Sequence, residues 1–222
     1  MIADNARTPV VSLQCRMTQR FHVHPQNPQV RLIRQATQVL RDGGLVVYPT
    51  DSCYAFGCLL GNRAGVERIE RLRETGRDHN FTLVCRDLSE IATYAKVENW
   101  AYRLLKSLTP GPYTFILRAT REVPRRFQNP KRQTIGIRVP DHPVPSALLG
   151  ELQQPLVSST LLLPAFDQPL SDPDEIEPAV RGRVDLIIDS GSCGVEPTTV
   201  LDLTGDVPQV LRQGKGPVAF LA

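Results

Sequence analysis

Between Gly43 and Gly57 the chain reads GGLVVYPTDSCYAFG, and this stretch limits the folds open to it. Gly43-Gly44 stops a helix or makes a tight turn. Leu45-Val46-Val47-Tyr48 is too short for a helix and rich in β-branched residues, which predicts a strand. Pro49 cannot donate to a sheet ladder and ends central pairing. Thr50, Asp51 and Ser52 then stand at the carboxyl end of that strand, where open α/β sheets place their ligands. Gly57 lets backbone or ligand approach closely. On pattern alone a plain strand and loop is the simpler reading, and a binding site is the alternative.

The rest of the chain alternates similar short runs with amphipathic ones. Residues 1–19 are polar and irregular and predict a flexible N-terminal extension to a single domain over 20–222. Phe21 to His24 reads as a strand, and Asn27-Pro28 as the start of a helix with Val30, Ile33, Val39 and Leu40 near one face. Further helices are predicted over 64–73, 88–96, 98–108, 144–152 and from Asp172-Pro173 to about Arg181. Extended segments are predicted over 54–60, 81–85, 113–117, 134–139, 156–159, 186–188, 199–203 and 209–211. Trp100 fits a core anchor better than a stacking platform. About nine strands mixed irregularly with six helices predict a single α/β domain, a large twisted mixed sheet flanked by helices, rather than a clean doubly wound one.

Composition narrows the function classes. The chain has 222 residues, 41% apolar and 22% charged, which suits a globular core. No run approaches the length of a membrane span, and the first residues make a poor signal peptide. Five scattered cysteines without a C-x-x-C predict free thiols in a reducing cytosol, hence a cytoplasmic protein. His22 and His24 lack further ligands, so no metal site is expected. The net charge of +3 is uninformative, but Arg118, Arg121, Arg125, Arg126, Lys131, Arg132 and Arg138 face a single acid, Glu122, between residues 118 and 138. Such a segment suits phosphate, nucleotide or RNA, or is a solvated loop.

Neither standard phosphate loop is present, nor H-E-x-x-H, nor a nucleophile elbow for which His79 or His142 could serve as base. What remains is a set of hydroxyls at strand ends (Thr50, Ser52, Thr114, Ser158, Thr160 and Thr198) with Arg73, Arg77, Arg138 and Arg212 nearby in sequence. Hydroxyls can orient a small zwitterion, and arginines bind carboxylate or phosphate bidentately. Such a site works by positioning and charge neutralisation. The residues alone lead to an anion-binding α/β domain.

Seven stretches taken together resemble the YrdC-type threonylcarbamoyl-AMP synthase family, closest to its YciO-like subgroup. They are YPTDSCYAFG (48–57), HNFTLVCRD (79–87), TPGPYTFIL (109–117), TIGIRVPDHP (134–143), PLVSST (155–160), TTVLDLTG (198–205) and VLRQG (210–214). The resemblance implies a concave basic cavity and a reaction that joins L-threonine, or a similar small amino acid, with bicarbonate and ATP for tRNA modification, Mg²⁺ accompanying the ATP. It places Thr50, Arg138, Ser158 and Thr198 around the threonine, and Asn80, Thr114 and Arg212 at the nucleotide. Arg73, Arg77 and Thr160 are its catalytic positions, with Ser158 and Thr160 at the threonine–phosphate junction. Three departures accompany it. Arg73 and Arg77 stand where family members carry a K-x-R pair, with one residue of extra spacing. Leu162 replaces the Asn of an S-x-N motif, and Cys85 stands where a His is expected. Losing one transition-state donor costs roughly a hundredfold or more in rate, so weakened or altered activity is implied. The alternative is a non-catalytic protein that binds double-stranded RNA or tRNA through Arg125, Arg126, Lys131 and Arg132.

Overall fold

The structure, a computed structural model, describes residues 17–76 and 80–221. The chain forms strands β1 (Gln19–His22), β2 (Val46–Tyr48), β3 (Ala55–Leu59), β4 (Thr82–Val84), β5 (Ala95–Lys96), β6 (Tyr113–Ala119), β7 (Thr134–Arg138), β8 (Leu156–Thr160), β9 (Leu186–Asp189), β10 (Thr199–Asp202) and β11 (Gln209–Arg212). The helices are α1 (Val30–Arg41), α2 (Arg63–Arg73), α3 (Leu88–Tyr94), α4 (Asn99–Leu108), α5 (Pro143–Leu152) and α6 (Pro173–Val180), with short 3₁₀ turns at Arg125–Phe127 and Ala219–Leu221.

One mixed sheet holds all the strands in the order β1-β9-β2-β3-β8-β4-β7-β6-β10-β11, with β5 added beside β6. Pairs β1/β9, β2/β9, β4/β7 and β6/β10 are parallel, and the others antiparallel. The apolar run at residues 45–48 explains why helices flank both faces. Leu45 and Val47 point into one core with α2, α4 and α6, while Val46 and Tyr48 point into the other with α1 and α5. A strand buried on both faces reads as a continuous apolar run rather than an alternating one. The expected single α/β domain with a large mixed, helix-flanked sheet is what forms.

Local differences have local causes. The described chain joins the sheet at Gln19, and Thr18 already donates to Val184 O at 2.8 Å, so the fold starts slightly before residue 20. The rest of the expected extension, residues 1–16, lies outside the described residues. Helix α1 starts at Val30, after Gln29, and not at Asn27-Pro28. Its buried stripe is Ile33, Ala36, Thr37 and Leu40, and Val30 is exposed. Helix α3 stops at Tyr94 because Ala95 and Lys96 pair with Ala119 and Arg118. With β5 included, the sheet has eleven strands among the described residues, against the expected total of about nine. Trp100 packs against the core, and Cys53, Cys58, Cys85 and Cys193 are free thiols. No described helix is long and apolar enough to cross a membrane.

Candidate functional site

The carboxyl ends of β2, β7 and β8 open into a cavity of about 410 Å³, completed by β6, β10 and β11. This lies within the roughly 300–1,000 Å³ usual for ligand pockets. Of the residues singled out in the sequence, Arg73, Asn80, Thr114, Arg132, Arg138, Ser158, Thr160, Thr198 and Arg212 line it. Four of them are arginines, and among the described residues the lining contains no carboxylate. Arg125, Arg126 and Lys131 are exposed and do not line the cavity, and Arg126 lies over the Phe127 ring at 4.5 Å. Arg77 lies outside the described residues.

Thr50, expected at the threonine, sits in a hydrogen-bonded turn behind the cavity. Its hydroxyl donates to Cys53 O at 2.6 Å and accepts from the backbone N–H groups of Ser52 and Cys53 at 3.1 and 3.2 Å. Ser52 Oγ lies a further 3.1 Å away, so the hydroxyl is engaged within its own turn. Thr50 is buried and is not among the lining residues. It builds the tight turn that follows Pro49, and this turn aims Ser52 and Cys53 into the cavity instead. Burial pushes the Cys53 thiol up to about 11, which leaves it protonated and a poor nucleophile.

Arg138, at the end of β7, is the most enclosed cation of the lining. Its Nη1 donates to Ser52 Oγ at 3.2 Å, and its Nη2 pairs with Asp51 Oδ1. Both side chains are only about a tenth exposed, 9% and 10%. Asp51 Oδ2 and Arg138 Nε are buried without a hydrogen-bond partner. Asp51 was not assigned to the site from sequence. It half-neutralises the one arginine expected to hold a carboxylate, and it leaves Nε–H as the donor still to be satisfied. A buried orphan of this kind costs about 1–3 kcal/mol.

Arg73 ends α2, where Glu74 closes the helix in the left-handed region at φ 50°. Its guanidinium donates to Ser159 Oγ and, at 3.3 Å, to Leu162 O. Burial draws its pKa below the ordinary guanidinium value, as it does for Arg212. The Leu162 side chain is not among the lining, but its backbone carbonyl orients Arg73. Cys85 is fully buried in the core, burial raises its pKa, and it too is not among the lining. Neither position presents a donor side chain to the cavity.

The far wall joins nucleotide-assigned and threonine-assigned residues directly. Thr114 and Thr198 share a hydrogen bond of 2.8 Å, and Arg212 grips Thr198 O through Nε and Nη2 at 3.2 and 2.9 Å. Behind them the segment after β11 is pressed onto the start of β10. A Cβ on Gly214 would come within 2.2 Å of Pro197 O, so only glycine fits there. This contact carries Lys215 across, so that its Nζ donates to Asp51 O and ties the last segment to the loop after β2. The glycine-flanked lysine in QGKGP was the sequence signal for it. Arg132, on the opposite rim, pairs with Asp202 at 2.7 Å.

With several guanidinium groups and hydroxyls in one cavity, the arrangement is suited to anions and small polar groups. Among the described lining residues there is no histidine, and the one thiol, Cys53, is pushed up to about 11. Among the described residues no group of three or more His, Cys, Asp or Glu could hold a metal ion. With arginines and no carboxylates among its described lining residues, the cavity does not fit a resident Mg²⁺.

Comparison with known proteins places this arrangement. The sequence model of one family, described as "Sua5_yciO_yrdC: Telomere recombination", matches residues 38–214. The uncharacterised protein YciO of Escherichia coli strain K12 is 54% identical over 202 residues, covering 91% of this chain and 98% of that protein. Its crystal structure superposes with a TM-score of 0.89 over 93% of this chain and all, 100%, of that one. A threonylcarbamoyl-AMP synthase of Chromobacterium violaceum is 31% identical over 180 residues, 81% of this chain and 92% of that protein. P. abyssi Sua5, solved in complex with L-threonine, matches with a TM-score of 0.81 and 26% identity over 89% of this chain and 58% of that one.

Proposed function

The chain belongs to the Sua5/YciO/YrdC family, and on that premise we propose that its cavity binds ATP together with L-threonine or a similar small amino acid and supports slow formation of L-threonylcarbamoyladenylate. The observation that carries this reading is the convergence of Arg73, Arg138 and Arg212 with hydroxyl groups, and no carboxylate among the described residues, in one cavity of about 410 Å³. The synthase of Chromobacterium violaceum and the threonine complex of P. abyssi Sua5 support it at family level.

In this scheme the amino-acid nitrogen and bicarbonate give a carbamate and water. A carbamate oxygen then attacks the α-phosphate of ATP, and pyrophosphate leaves. Arg138, oriented by Ser52, faces the amino-acid carboxylate, with Asp51 moderating its charge. Arg212, Asn80 and Thr114 lie on the nucleotide side of the cavity. Arg73, held on Ser159 and the Leu162 carbonyl, meets the charge that develops on the phosphates. Mg²⁺ enters as part of the substrate, already bound to the triphosphate.

The rate is expected to be low. Each missing donor, at Leu162 and at Cys85, costs about a hundredfold or more, whereas the binding contacts are present. The product chemistry points to tRNA modification in a reducing cytosol, and the free thiols of the described cysteines support that compartment.

Calorimetry with ATP and L-threonine, separately and together, tests the reading. Coupled binding is expected, with slow pyrophosphate release that needs both threonine and bicarbonate. Absence of binding by either ligand at millimolar concentration overturns it.

A second reading, binding of double-stranded RNA or tRNA, is favoured by the exposure of Arg125, Arg126, Lys131 and Arg132 on one segment beside the cavity. Affinity should then fall steeply with salt. Binding that is unchanged when these four become Ala removes this reading.

A further inference from the structure

A buried phenol behind the cavity wall fixes how Ser158 can use its hydroxyl. Tyr48 is fully buried, and its Oη lies 2.8 Å from Ser158 Oγ. Ser158 Oγ also lies 2.9 Å from Phe56 O. A carbonyl oxygen can only accept, so the Ser158 hydrogen goes to Phe56. Among the described residues Ser158 is the single hydrogen-bond partner of the Tyr48 hydroxyl. A buried O–H left without an acceptor is costly, so Tyr48 donates to Ser158. Burial pushes the phenol up to about 12, so that it keeps its proton at neutral pH. Ser158 Oγ thus gives one hydrogen, takes one, and has a single lone pair left. Ser158 lines the cavity.

Gly57 is what lets the phenol reach Ser158. Gly57 is the β3 partner of Ser158, and a Cβ there would stand 2.7 Å from Tyr48 Cε1. Three strands therefore cooperate in one directed chain, from Tyr48 on β2 through Ser158 on β8 to Phe56 O on β3.

We propose that Tyr48 is a positioning residue that holds Ser158 as a pure hydrogen-bond acceptor toward the cavity, so that this point of the site selects the α-nitrogen of a small amino acid and disfavours a phosphate or carboxylate oxygen. The inference rests on the amino-acid reading above. It moves Ser158 from the threonine–phosphate junction to the amino end of the ligand. One lone pair also suits a nitrogen that reacts with bicarbonate, because R–NH₂ + HCO₃⁻ → R–NH–COO⁻ + H₂O leaves one N–H. The same contact can persist from amine to carbamate.

Calorimetry on the full chain tests it with L-threonine and (R)-3-hydroxybutyrate, which keeps the carboxylate and the β-hydroxyl but lacks the amino group. The wild-type protein should prefer threonine by at least about a hundredfold, as sites built around a ligand donor do. Tyr48→Phe removes the donor that anchors the Ser158 side chain, so the hydroxyl can leave Phe56 O and turn its hydrogen toward a ligand oxygen, and the preference should fall about tenfold or more. General structural damage weakens both ligands alike and leaves the ratio unchanged, with ATP affinity as the control on the fold. Ser158→Ala, which removes the acceptor itself, should also lower the ratio, and it serves if Tyr48→Phe does not fold. A preference unchanged in either variant, with threonine still bound, overturns the inference. Absence of threonine binding by the wild-type protein overturns the amino-acid reading, and this inference with it.

Discussion

Substituting Gly57 by Ala tests the packing on which the β2–β3–β8 arrangement depends. The added methyl would lie 2.7 Å from Tyr48 Cε1, 3.1 Å from Cδ1 and 3.6 Å from Leu156 Cδ1. Carbon atoms rest about 3.5–4.0 Å apart, so the ring must retreat by about 1 Å. Tyr48 is fully buried, and close-packed interiors leave it little room to move. Such overpacking costs roughly 1–3 kcal/mol. The same retreat stretches the 2.8 Å bond to Ser158, at about 1 kcal/mol more. Alanine restricts the unfolded chain more than glycine does, which returns about 0.5–1 kcal/mol. The net loss is then about 1–3 kcal/mol. At about 2–4 °C per kcal/mol for a chain of this size, Tm should fall by about 2–12 °C. Urea and thermal unfolding measure it, with Gly61→Ala as control, because a Cβ there meets nothing within 4 Å. If Gly57→Ala is as stable as Gly61→Ala, the close approach of Tyr48 to the β3 backbone is wrong.

Two further predictions concern the ends of helices. His142 caps α5 by accepting from Val144 N at 3.1 Å through Nδ1, and burial holds its pKa below the usual histidine value, an effect that Asp51 and Asp141 only partly offset. The unfolded chain therefore takes up this proton first. The stability contribution is intact above about pH 6.5 and is lost as pH falls from there through the folded pKa. His142→Asn keeps a capping acceptor that does not titrate, so the urea midpoint should change less between about pH 7 and about pH 5. An unchanged slope rejects the assignment. At the end of α2, Arg73 donates to the backbone carbonyl of Leu162, which any residue at that position supplies. Leu162→Ala should thus leave ATP affinity within about twofold, whereas Arg73→Ala should lower it about tenfold or more. Equal losses in the two variants refute that geometry.

Most of the architecture could be read from the sequence because each element carries its own period. The run at residues 45–48 and the stripes of α2 and α4 are local patterns, and local patterns are visible in one dimension. Strand β5 escaped because two residues have no period, and its pairing depends on Arg118 and Ala119. The start of α1 escaped because a favourable cap-like pair, Asn27-Pro28, precedes the true start by two residues. The candidate site was legible in its members but not in their connections. Residue pattern alone reached an anion-binding domain, and the assigned roles came from family resemblance. The pairing of Asp51 with Arg138, the engagement of Thr50 within its own turn, and the reach of Lys215 are set by tertiary geometry. A hydroxyl at a strand end carries no mark of whether its hydrogen is already committed.

The strand order has a consequence for synthesis. The outermost strands of the sheet, β1 and β11, are also the first and last described along the chain. On the ribosome β1 emerges early but finds its partner only when β9 follows at Leu186. The helices and hairpin between them can pack beforehand, yet the cavity lacks a wall until Thr198, Val200 and Arg212 appear. A chain interrupted before Thr199 would leave β6 with a bare edge where β10 should lie, an invitation to foreign strands. The full lining thus becomes available only once β11 has been translated, which makes the closed cavity a natural sign that the sheet is complete.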